Sequence, residues 1–479
     1  MPAGLLDSYA LGAGYDEMFV SPGVPREHCR AVVDALAGLT AEDLADARRR
    51  ADVAFLNLGI TFTVYSESAG IERIFPFDLV PRVMAQQEWR KVELGLGQRI
   101  RALNAFVQDA YNEQRIVEKG IIPGEVIFSS PNYQPAVRGF TPPGGVWIHI
   151  SGIDLVRDAD GTLYVLEDNT RTPSGVSYVL QNRLISTRVL PRLFAQSGVA
   201  VVGDYANHLH DAIRSIRHDG PAVILTPGVY NSAYYEHTFL AKQMGVQLVE
   251  GRDMIVRDGR LAMKTTRGLQ PVSSVYRRVD EEFLDPLNFQ PDSVLGVPGL
   301  FDVYRAGGLC LANAIGTGIA DDKSVFPYVP EMIRFYLGEE PLLPNVPTYR
   351  GADEGACEYI LAHLSELVTK PTNASGGYGV VIGHQCDERQ LADVAKLIEA
   401  DPGGFVAQPL IKLSTCPTLI DGEFQPRRVD LRPFVVYDGV EPWVLPGGLT
   451  RVALREGSFI VNSSQGGGSK DTWVLDGSA

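Results

Sequence analysis

Hydrophobic positions in the first third of the chain repeat with helical spacing. Residues 24–58 and 84–115 place apolar side chains three and four positions apart, as on one face of a helix. The segment 59–82 between them has an extended, turn-rich pattern instead. The pattern therefore predicts a mostly helical N-terminal lobe with an extended insert over residues 1–145.

The spacing changes to that of strands in the next part of the chain. Residues 146–156 (VWIHISGIDLV) and 163–169 (LYVLEDN) alternate apolar and polar side chains with a period of two. The dipeptide Asp160-Gly161 between them is a hairpin signal. Residues 221–315 then alternate short apolar strands with helical segments, a rhythm typical of a small parallel sheet.

The C-terminal part of the chain is predicted to be rich in strands. Residues 367–371 (LVTKP) and 404–411 (GFVAQPLI) have strand character and flank a helical segment at 387–400. Further strands are expected in the last sixty residues. The glycine-rich segment 465–471 (QGGGSKD) is predicted to be a flexible tail.

Composition narrows the function classes. The chain has 479 residues and a formal net charge of −15, which argues against a general binder of nucleic acid phosphates. No window approaches the roughly 20 apolar residues of a membrane span, and the N-terminus does not resemble a secretory signal. The five cysteines include no CxxC pair, which fits a reducing compartment. We expect a cytoplasmic protein with neither nucleic acid nor membrane as a partner.

A possible metal site lies at the end of the second predicted strand. Glu167 and Asn169 are two residues apart, so a strand would present both to the same face and Asp168 to the other. Carboxylate and amide oxygens are ligands that Mg²⁺ accepts. A site of this kind usually serves a nucleotide, so a phosphate-binding segment is expected elsewhere in the chain.

Three glycine-rich patterns compete for that phosphate role. Residues 316–324 (GTGIADDKS) approach a P-loop, but Asp322 stands where glycine must precede Lys323, and a carboxylate would repel phosphate. No GxGxxG follows a strand and opens a helix, as a dinucleotide site requires. Residues 370–379 (KPTNASGGYG) would let backbone amides and Lys370 converge on phosphate, although a plain hairpin turn is the alternative. The residues that would form this loop are Ser375, Gly376, Gly377, Tyr378 and Gly379.

The order of these elements resembles the nucleotide-binding half of the ATP-grasp family. Lys323 lies 47 residues before Lys370, the glycine-rich loop follows, and the strand containing Gln408 comes about thirty residues later. In that family two lysines contact the phosphates of ATP, the loop closes over them as a flap, and a hinge strand holds the adenine edge. The resemblance implies these roles for Lys323, Lys370, the 375–379 flap and Gln408.

The C-terminal segments resemble the same family. VDLRPFVV has the Asp-x-Arg pair, here Asp430 and Arg432. TRVALREGSFIVNSSQGGG resembles the segment that surrounds the reacting phosphate, with Arg451 near its start and Asn462 near its end. The resemblance implies that Arg171, Arg432 and Arg451 are the candidates for stabilising the transferred phosphoryl group.

The metal motif stands at an unusual place in this order. In most ATP-grasp proteins Glu-x-Asn follows the other segments, whereas here Glu167 and Asn169 precede them. The sequence is therefore identified as resembling circularly permuted ATP-grasp proteins, of which glutathionylspermidine synthase is one. Asp154, Glu167 and Asn169 are implied as the Mg²⁺ ligands. Glutathionylspermidine synthase has an arginine just before its metal Asp, and this chain has Ser151 and Gly152 there.

Phrases such as GITFTVY, SGIDLVRD, EDNTRTPSGVSY and TPGVYNSAYYEH extend the resemblance to the circularly permuted ATP-grasp family, type two, from about residue 15 to the end. The expected fold class is α/β (α+β), a circularly permuted ATP-grasp core with a helical N-terminal lobe and a small pre-ATP-grasp subdomain. The expected units are the lobe (1–145), the permuted metal-binding part (146–200), the small α/β subdomain (201–315), the nucleotide-binding subdomain (316–415) and the rest of the core sheet (416–479).

The resemblance implies a ligase that uses ATP and Mg²⁺. Such enzymes phosphorylate a carboxylate and let an amine or thiol displace the phosphate, so small-molecule or peptide acids and acceptors are the expected partners. An ATP-grasp phosphotransferase and a non-catalytic nucleotide-binding or scaffold protein are the alternatives. The strand-to-helix turn at 226–237 is a candidate acceptor site, because a helix N-terminus favours anions. Its candidate residues are Asn231, Ser232, Tyr235 and Glu236.

Overall fold

The computed structural model describes residues 6, 8–64, 71–217, 219–372, 379–462 and 466–476. Four of the five predicted flap residues, Ser375, Gly376, Gly377 and Tyr378, lie outside this range. Gly379 is described and has a positive φ of 71°.

The described residues form 13 α-helices, joined by short 3-10 turns. Their bounds are α1 Arg30–Ala37, α2 Ala41–Asn57, α3 Gln86–Tyr111, α4 Arg115–Glu118, α5 Gly124–Phe128, α6 Val176–Val189, α7 Pro191–Gln196, α8 Tyr205–Arg214, α9 Tyr234–Met244, α10 Leu300–Arg305, α11 Val329–Met332, α12 Ala356–Ala362 and α13 Glu388–Ala400. No helix in the described ranges is both long and apolar enough to cross a membrane.

The same residues form 24 strands. Their bounds are β1 Phe19–Ser21, β2 Val24–Pro25, β3 Thr61–Val64, β4 Ile71–Ile74, β5 Phe77–Met84, β6 Ile150–Arg157, β7 Leu163–Asn169, β8 Ala222–Leu225, β9 Gln247–Val249, β10 Met254–Arg257, β11 Arg260–Thr265, β12 Gly268–Pro271, β13 Ser274–Arg277, β14 Cys310–Ala312, β15 Tyr349–Arg350, β16 Leu367–Pro371, β17 Val381–Ile382, β18 Phe405–Pro409, β19 Thr415–Ile420, β20 Glu423–Arg432, β21 Phe434–Tyr437, β22 Pro442–Val444, β23 Leu449–Val452 and β24 Gly468–Val474.

A nine-stranded sheet forms the centre of the protein. Its order is β22-β21-β6-β20-β23-β24-β5, with β7 added to β6 and β19 added to β20. The predicted hairpin is confirmed, because β6 and β7 pair antiparallel and Gly161 occupies the turn with φ of 88°. That backbone conformation suits glycine, which carries no Cβ. The hairpin thus brings Asp154 and Glu167 into the central sheet.

The predicted flexible tail is wrong. Gly468–Val474 is the buried strand β24, which lies between β23 and the parallel strand β5. Its polar residues have buried partners from distant parts of the chain: Lys470 donates to Asp78, and Asp471 accepts from Arg183. Sequence alone treats such charges as solvated, because it does not show the partners that neutralise them.

The predicted small parallel sheet is confirmed. Strands β14-β13-β8-β9 pair in parallel throughout, and α9 connects β8 to β9. The sequence did not indicate a second, antiparallel sheet of β10, β11 and β12, which is inserted between β9 and β13. The residues of β12 are exposed, so this strand lacks the alternation of apolar and polar residues by which a half-buried strand is recognised.

A four-stranded antiparallel sheet carries Lys370 and Gln408. Its order is β15-β18-β16-β17, and α12 and α13 supply apolar cover. The cover forms a small core that includes Ile360, Leu367 and Ile398. This core covers one face of the sheet. The other face lies across a cleft from the central sheet.

The N-terminal helices pack on the central sheet. Thr40 caps α2 by accepting from the backbone of Asp43, and Phe55 on α2 shares a core with Trp473 of β24. The same segment contributes β5 to the nine-stranded sheet, so residues 1–145 are partly interleaved with the core. The unit boundaries drawn from the sequence stay a prediction.

Candidate active site

A cleft lies between the central sheet and the four-stranded antiparallel sheet. It holds about 1240 Å³ of space, including its open mouth. Four cations and three carboxylates line it together with apolar side chains from both sheets. The charged lining residues are Asp154, Glu167, Lys323, Lys370, Asp430, Arg432 and Arg451, and the apolar ones include Val368, Ile382, Leu410, Ile411, Leu413, Phe459 and Val461.

The hairpin β6–β7 presents the three predicted metal ligands to the cleft. Asp154 stands directly opposite Glu167, and Gly152 stands opposite Asn169. A register shift between Asp154 and Leu155 produces this pairing, because the register nearer the turn would place Leu166 opposite Asp154. Asn169 donates its amide nitrogen to the Gly152 carbonyl at 3.1 Å, which turns the amide oxygen the other way. The three oxygen-bearing side chains therefore share one face of the sheet.

Asp154 is bound by two arginines. Arg432 donates Nε to Oδ1 at 2.5 Å and Nη2 to Oδ2 at 2.9 Å, and Arg451 donates Nη2 to Oδ2 at 2.8 Å. Burial raises the pKa of the Asp154 carboxyl, but the charges of Arg432 and Arg451 outweigh burial and hold that pKa well below its ordinary value. Asp154 is therefore an anion at every physiological pH.

Asp430 holds the second arginine. Asp430 and Arg451 stand opposite each other on β20 and β23. The Arg451 Nε lies 2.9 and 3.0 Å from the two Asp430 oxygens, and its Nη2 lies 2.5 Å from Oδ2. Carboxylates and guanidiniums thus alternate across β6, β20 and β23. A buried ion pair needs this degree of hydrogen bonding to offset its desolvation.

The two lysines reach the cleft from different elements. Lys323 Nζ lies 3.3 Å from Glu167 Oε1, and Lys370 on β16 donates to Gln408 Oε1 at 2.6 Å. Gln408 in turn donates to Thr348 Oγ1 at 2.9 Å. Burial lowers the pKa of the Lys370 ammonium to about 8, more than the nearby Glu167 raises it. Gln408 therefore orients Lys370, a contact that the sequence did not indicate.

The donor set at the hairpin suits a hard cation. Asp154, Glu167 and Asn169 offer two carboxylates and one amide oxygen, which match the oxygen ligands of Mg²⁺. Lys323 and Arg432 already lie against the two carboxylates, so a bound cation must compete with these side chains for them. Within the described ranges, no group of three or more His, Cys, Asp or Glu side chains is arranged to hold a metal. The candidate set is therefore a mixed carboxylate and amide set.

Arg171 lies outside the group of arginines at the cleft. Its Nε is 3.0 Å from Asp321 Oδ1, and its Nη1 donates to Asn132 at 3.3 Å. It does not occur among the described residues that line the cleft. The structure thus brings Arg432 and Arg451 together on Asp154 and places Arg171 against Asp321.

The four candidate acceptor residues lie at the start of α9. Glu236 is buried and accepts from the backbone of Gly175 and Ser177, so its carboxylate caps the start of α6. Tyr235 stacks on Tyr178. Among the described residues lining the cleft, none of Asn231, Ser232, Tyr235 and Glu236 is present.

Some lining residues could not be recognised from the sequence. The apolar group around Phe459 carries no motif, nor does Thr348, which accepts from the lining residue Gln408, and Asp430 was paired with Arg432 rather than with Arg451. The i, i+2 spacing of Asp430 and Arg432 places both on one face of a strand. It does not reveal that each pairs with a neighbouring strand instead of with the other.

Comparison with known proteins places the chain among relatives. The sequence profile described as circularly permuted ATP-grasp type 2 matches residues 81–453. An uncharacterized protein of Synechocystis sp. is 51% identical over 99% of this chain and 99% of its own. An uncharacterized protein of Mycobacterium tuberculosis is 51% identical over 98% of this chain and 85% of its own.

A protein of Frankia alni, provisionally named glutamate–cysteine ligase 2-3, is 44% identical over 98% of this chain but only 54% of its own length. The apo structure of a glutathione synthetase-like effector from Globodera pallida aligns with a TM-score of 0.60. That match has 11% identity and covers 91% of this chain and 98% of the other. At this identity the likeness supports the fold alone.

Proposed function

Because the chain belongs to the circularly permuted ATP-grasp type 2 family, we propose that it is a Mg²⁺- and ATP-dependent ligase that joins a carboxylate to an amine or thiol. One observation carries the proposal. Asp154, Arg432 and Arg451 from the central sheet and Lys323 and Lys370 line the same cleft. Membership of this family supports an ATP-dependent ligase, and the classes of acid and nucleophile are part of the proposal.

Different residues of the cleft would bind different parts of ATP. Lys323 and Lys370 neutralise the polyphosphate, and the apolar lining around Phe459 covers the adenine ring. Asp154, Glu167 and Asn169 would hold Mg²⁺. When bound, Mg²⁺ would neutralise phosphate charge and act as a Lewis acid for phosphoryl transfer.

The two arginines would stabilise the phosphoryl group during its transfer. An oxygen of the substrate carboxylate attacks the γ-phosphorus, the bond to the bridging oxygen breaks, and ADP leaves. Negative charge develops on the equatorial oxygens during this step, and Arg432 and Arg451, which line the cleft, would supply the positive charge that stabilises it. The amine or thiol then attacks the acyl carbon, loses its proton, and inorganic phosphate leaves.

An acyl phosphate is sensitive to water, so the site must close. We propose that the 375–379 flap covers the cleft during turnover. Lys370 lies on β16 immediately before that flap, and its bond to Gln408 fixes it before closure. Closure would therefore add the flap amides to a phosphate site that is already half assembled.

The name of one relative bears on the class of substrate. The Frankia protein is provisionally named a glutamate–cysteine ligase, but the chain spans about half of it, so the name describes a larger protein. We propose small-molecule or peptide carboxylates as acids, and amines or thiols as acceptors.

The proposal is tested by measuring ADP release with pooled amino acids, peptides and polyamines and reading products by mass spectrometry. A product whose mass equals two substrates minus water supports the ligase. A product that gains one phosphoryl group instead supports an ATP-grasp phosphotransferase. Binding of ATP with no product from any pool would favour a non-catalytic nucleotide-binding protein.

A further inference from the structure

Both oxygens of Asp154 are engaged by guanidinium groups, although Asp154 is a proposed metal ligand. Oδ2 accepts two hydrogen bonds, one from Arg432 and one from Arg451, and Oδ1 accepts one from Arg432. A carboxylate oxygen has two lone pairs, so Oδ2 has none left for a metal. A divalent cation next to the Arg432 guanidinium would also be repelled by it. Metal binding at Asp154 therefore requires one arginine to leave.

The two arginines are held very differently. Arg451 is fixed by three contacts of 2.5 to 3.0 Å to Asp430, in addition to its single contact to Asp154. Within the described part of the chain, Arg432 has one further hydrogen bond, to the Ser174 carbonyl at 3.4 Å. That distance is at the long limit of a hydrogen bond. Losing Asp154 thus leaves Arg451 fixed and Arg432 without a strong partner.

We infer that Asp154 is shared between Arg432 and the metal, so that metal binding releases Arg432 into the cleft while Asp430 keeps Arg451 in place. Asp430 is then a positioning residue for Arg451. The inference rests on the proposed function for the destination of Arg432, the transferred phosphoryl group. The exchange itself concerns only the chain's own residues and a cation.

The aliphatic part of Arg432 lies close to the backbone of the hairpin at Gly152. The residue opposite Asn169 is Gly152, and a Cβ placed there would lie 3.3 Å from Arg432 Cδ. The aliphatic part of Arg432 thus packs over a backbone without a side chain. Pro173 Cβ and Phe434 Cε1 would lie 3.3 and 3.4 Å from the same Cβ, so a side chain at position 152 would crowd Arg432 and these neighbours.

The exchange is tested with Mn²⁺ alone on the nucleotide-free protein, by counting unbound Mn²⁺ from its electron paramagnetic resonance signal. Arg432→Met removes the competing cation and is expected to raise Mn²⁺ affinity about tenfold or more, since a like charge next to the metal is removed. Arg217→Met removes an arginine from a bidentate pair with Asp219 and serves as the charge control. This control is expected to change the affinity less than about twofold.

Two further variants keep the result interpretable. Arg432→Gln keeps a polar side chain of similar reach and is expected to raise Mn²⁺ affinity as well, which covers the case in which Arg432→Met does not fold. Adding Glu167→Gln to Arg432→Met is expected to abolish the gain. Equal affinity in wild type and both Arg432 variants, or a gain that survives Glu167→Gln, overturns the exchange. A gain that depends on Glu167, with no ADP release from any substrate pool, upholds the exchange while contradicting the ligase.

Discussion

Asp154 and Arg432 form a bidentate ion pair across two neighbouring strands, although 278 positions separate them in the chain. The pair connects the hairpin that would hold the metal to the strand that would supply an arginine for the phosphoryl group. Arg451 joins it through Asp154 Oδ2, so one carboxylate links three strands of the central sheet. Different substitutions around this pair are therefore expected to separate effects on turnover from effects on stability.

Glu167→Gln is expected to remove ATP turnover and leave the fold intact. Glu167 is about one-third exposed and pairs with Lys323 at 3.3 Å, so losing its charge costs little stability. The loss of a metal ligand would reduce ADP release by at least about a hundredfold. Steady-state ADP release and a thermal melting curve check both parts, and unchanged ADP release with a normal melting curve would refute the metal assignment.

Asp430→Asn is expected to lower the free energy of unfolding by about 3 kcal/mol. The substitution leaves the buried guanidinium of Arg451 with one charged partner in place of two, and breaking buried pairs has costs of this size. The matched control is Asp219→Asn in an exposed pair with Arg217, which should cost less than about 1 kcal/mol. Denaturant unfolding of the two variants measures the difference, and equal losses would contradict the account of Asp430.

ATP affinity is expected to fall as the pH rises through about 8. Burial lowers the pKa of Lys370 from 10.5 to about 8, so the ammonium proposed to face the phosphates is lost above that value. The direction for stability is opposite: between pH 8 and 10.5 the unfolded chain binds more protons at Lys370, so stability at this residue rises with pH.

Lys370→Arg provides the control for this pH dependence. A guanidinium stays charged throughout the range, so the variant should keep its ATP affinity between pH 7 and 9.5. ATP binding measured by calorimetry across that range distinguishes the two proteins. The same fall in affinity in both would show that another group titrates.

Truncation before β24 is expected to prevent folding. Trp473 is fully buried, and β24 separates β23 from β5 in the central sheet. Removing residues 468–479 would expose both neighbouring strands, whereas removing only 477–479 should leave the melting temperature within a few degrees of the full chain. Circular dichroism melting of the two truncated proteins checks this. A cooperative transition in the protein that lacks residues 468–479 would contradict the role of β24.

Local patterns predicted the hairpin, because its cause is local. Alternation along residues 146–169 and the Asp160-Gly161 turn predict that the two strands pair, whereas the register shift that places Asp154 opposite Glu167 was not predicted. The α/β fold class and the circularly permuted ATP-grasp assignment are confirmed by the match to residues 81–453. The site roles and unit boundaries stay predictions.

Long-range pairings could not be predicted in the same way. Whether Arg432 pairs with Asp430 or Asp154 depends on which strand lies beside β20, and spacing along one strand does not carry that information. Lys470 in the glycine-rich tail looks solvated until Asp78, from the other end of the chain, supplies its buried partner. Arg171 follows Asn169 by two residues, yet the turn after β7 directs it to Asp321.

The central claim is that this cleft transfers the γ-phosphoryl group of ATP to a carboxylate. Positional isotope exchange tests that step directly, because it reports the reversible cleavage of the β–γ bridge without knowledge of the final acceptor. With ATP labelled by ¹⁸O at its β–γ bridging oxygen and pooled carboxylic acids, we predict acid-dependent scrambling of the label between bridging and non-bridging positions, absent in Glu167→Gln. Phosphoryl transfer to alcohols or to phosphate, with no scrambling in the presence of any acid, would contradict the claim.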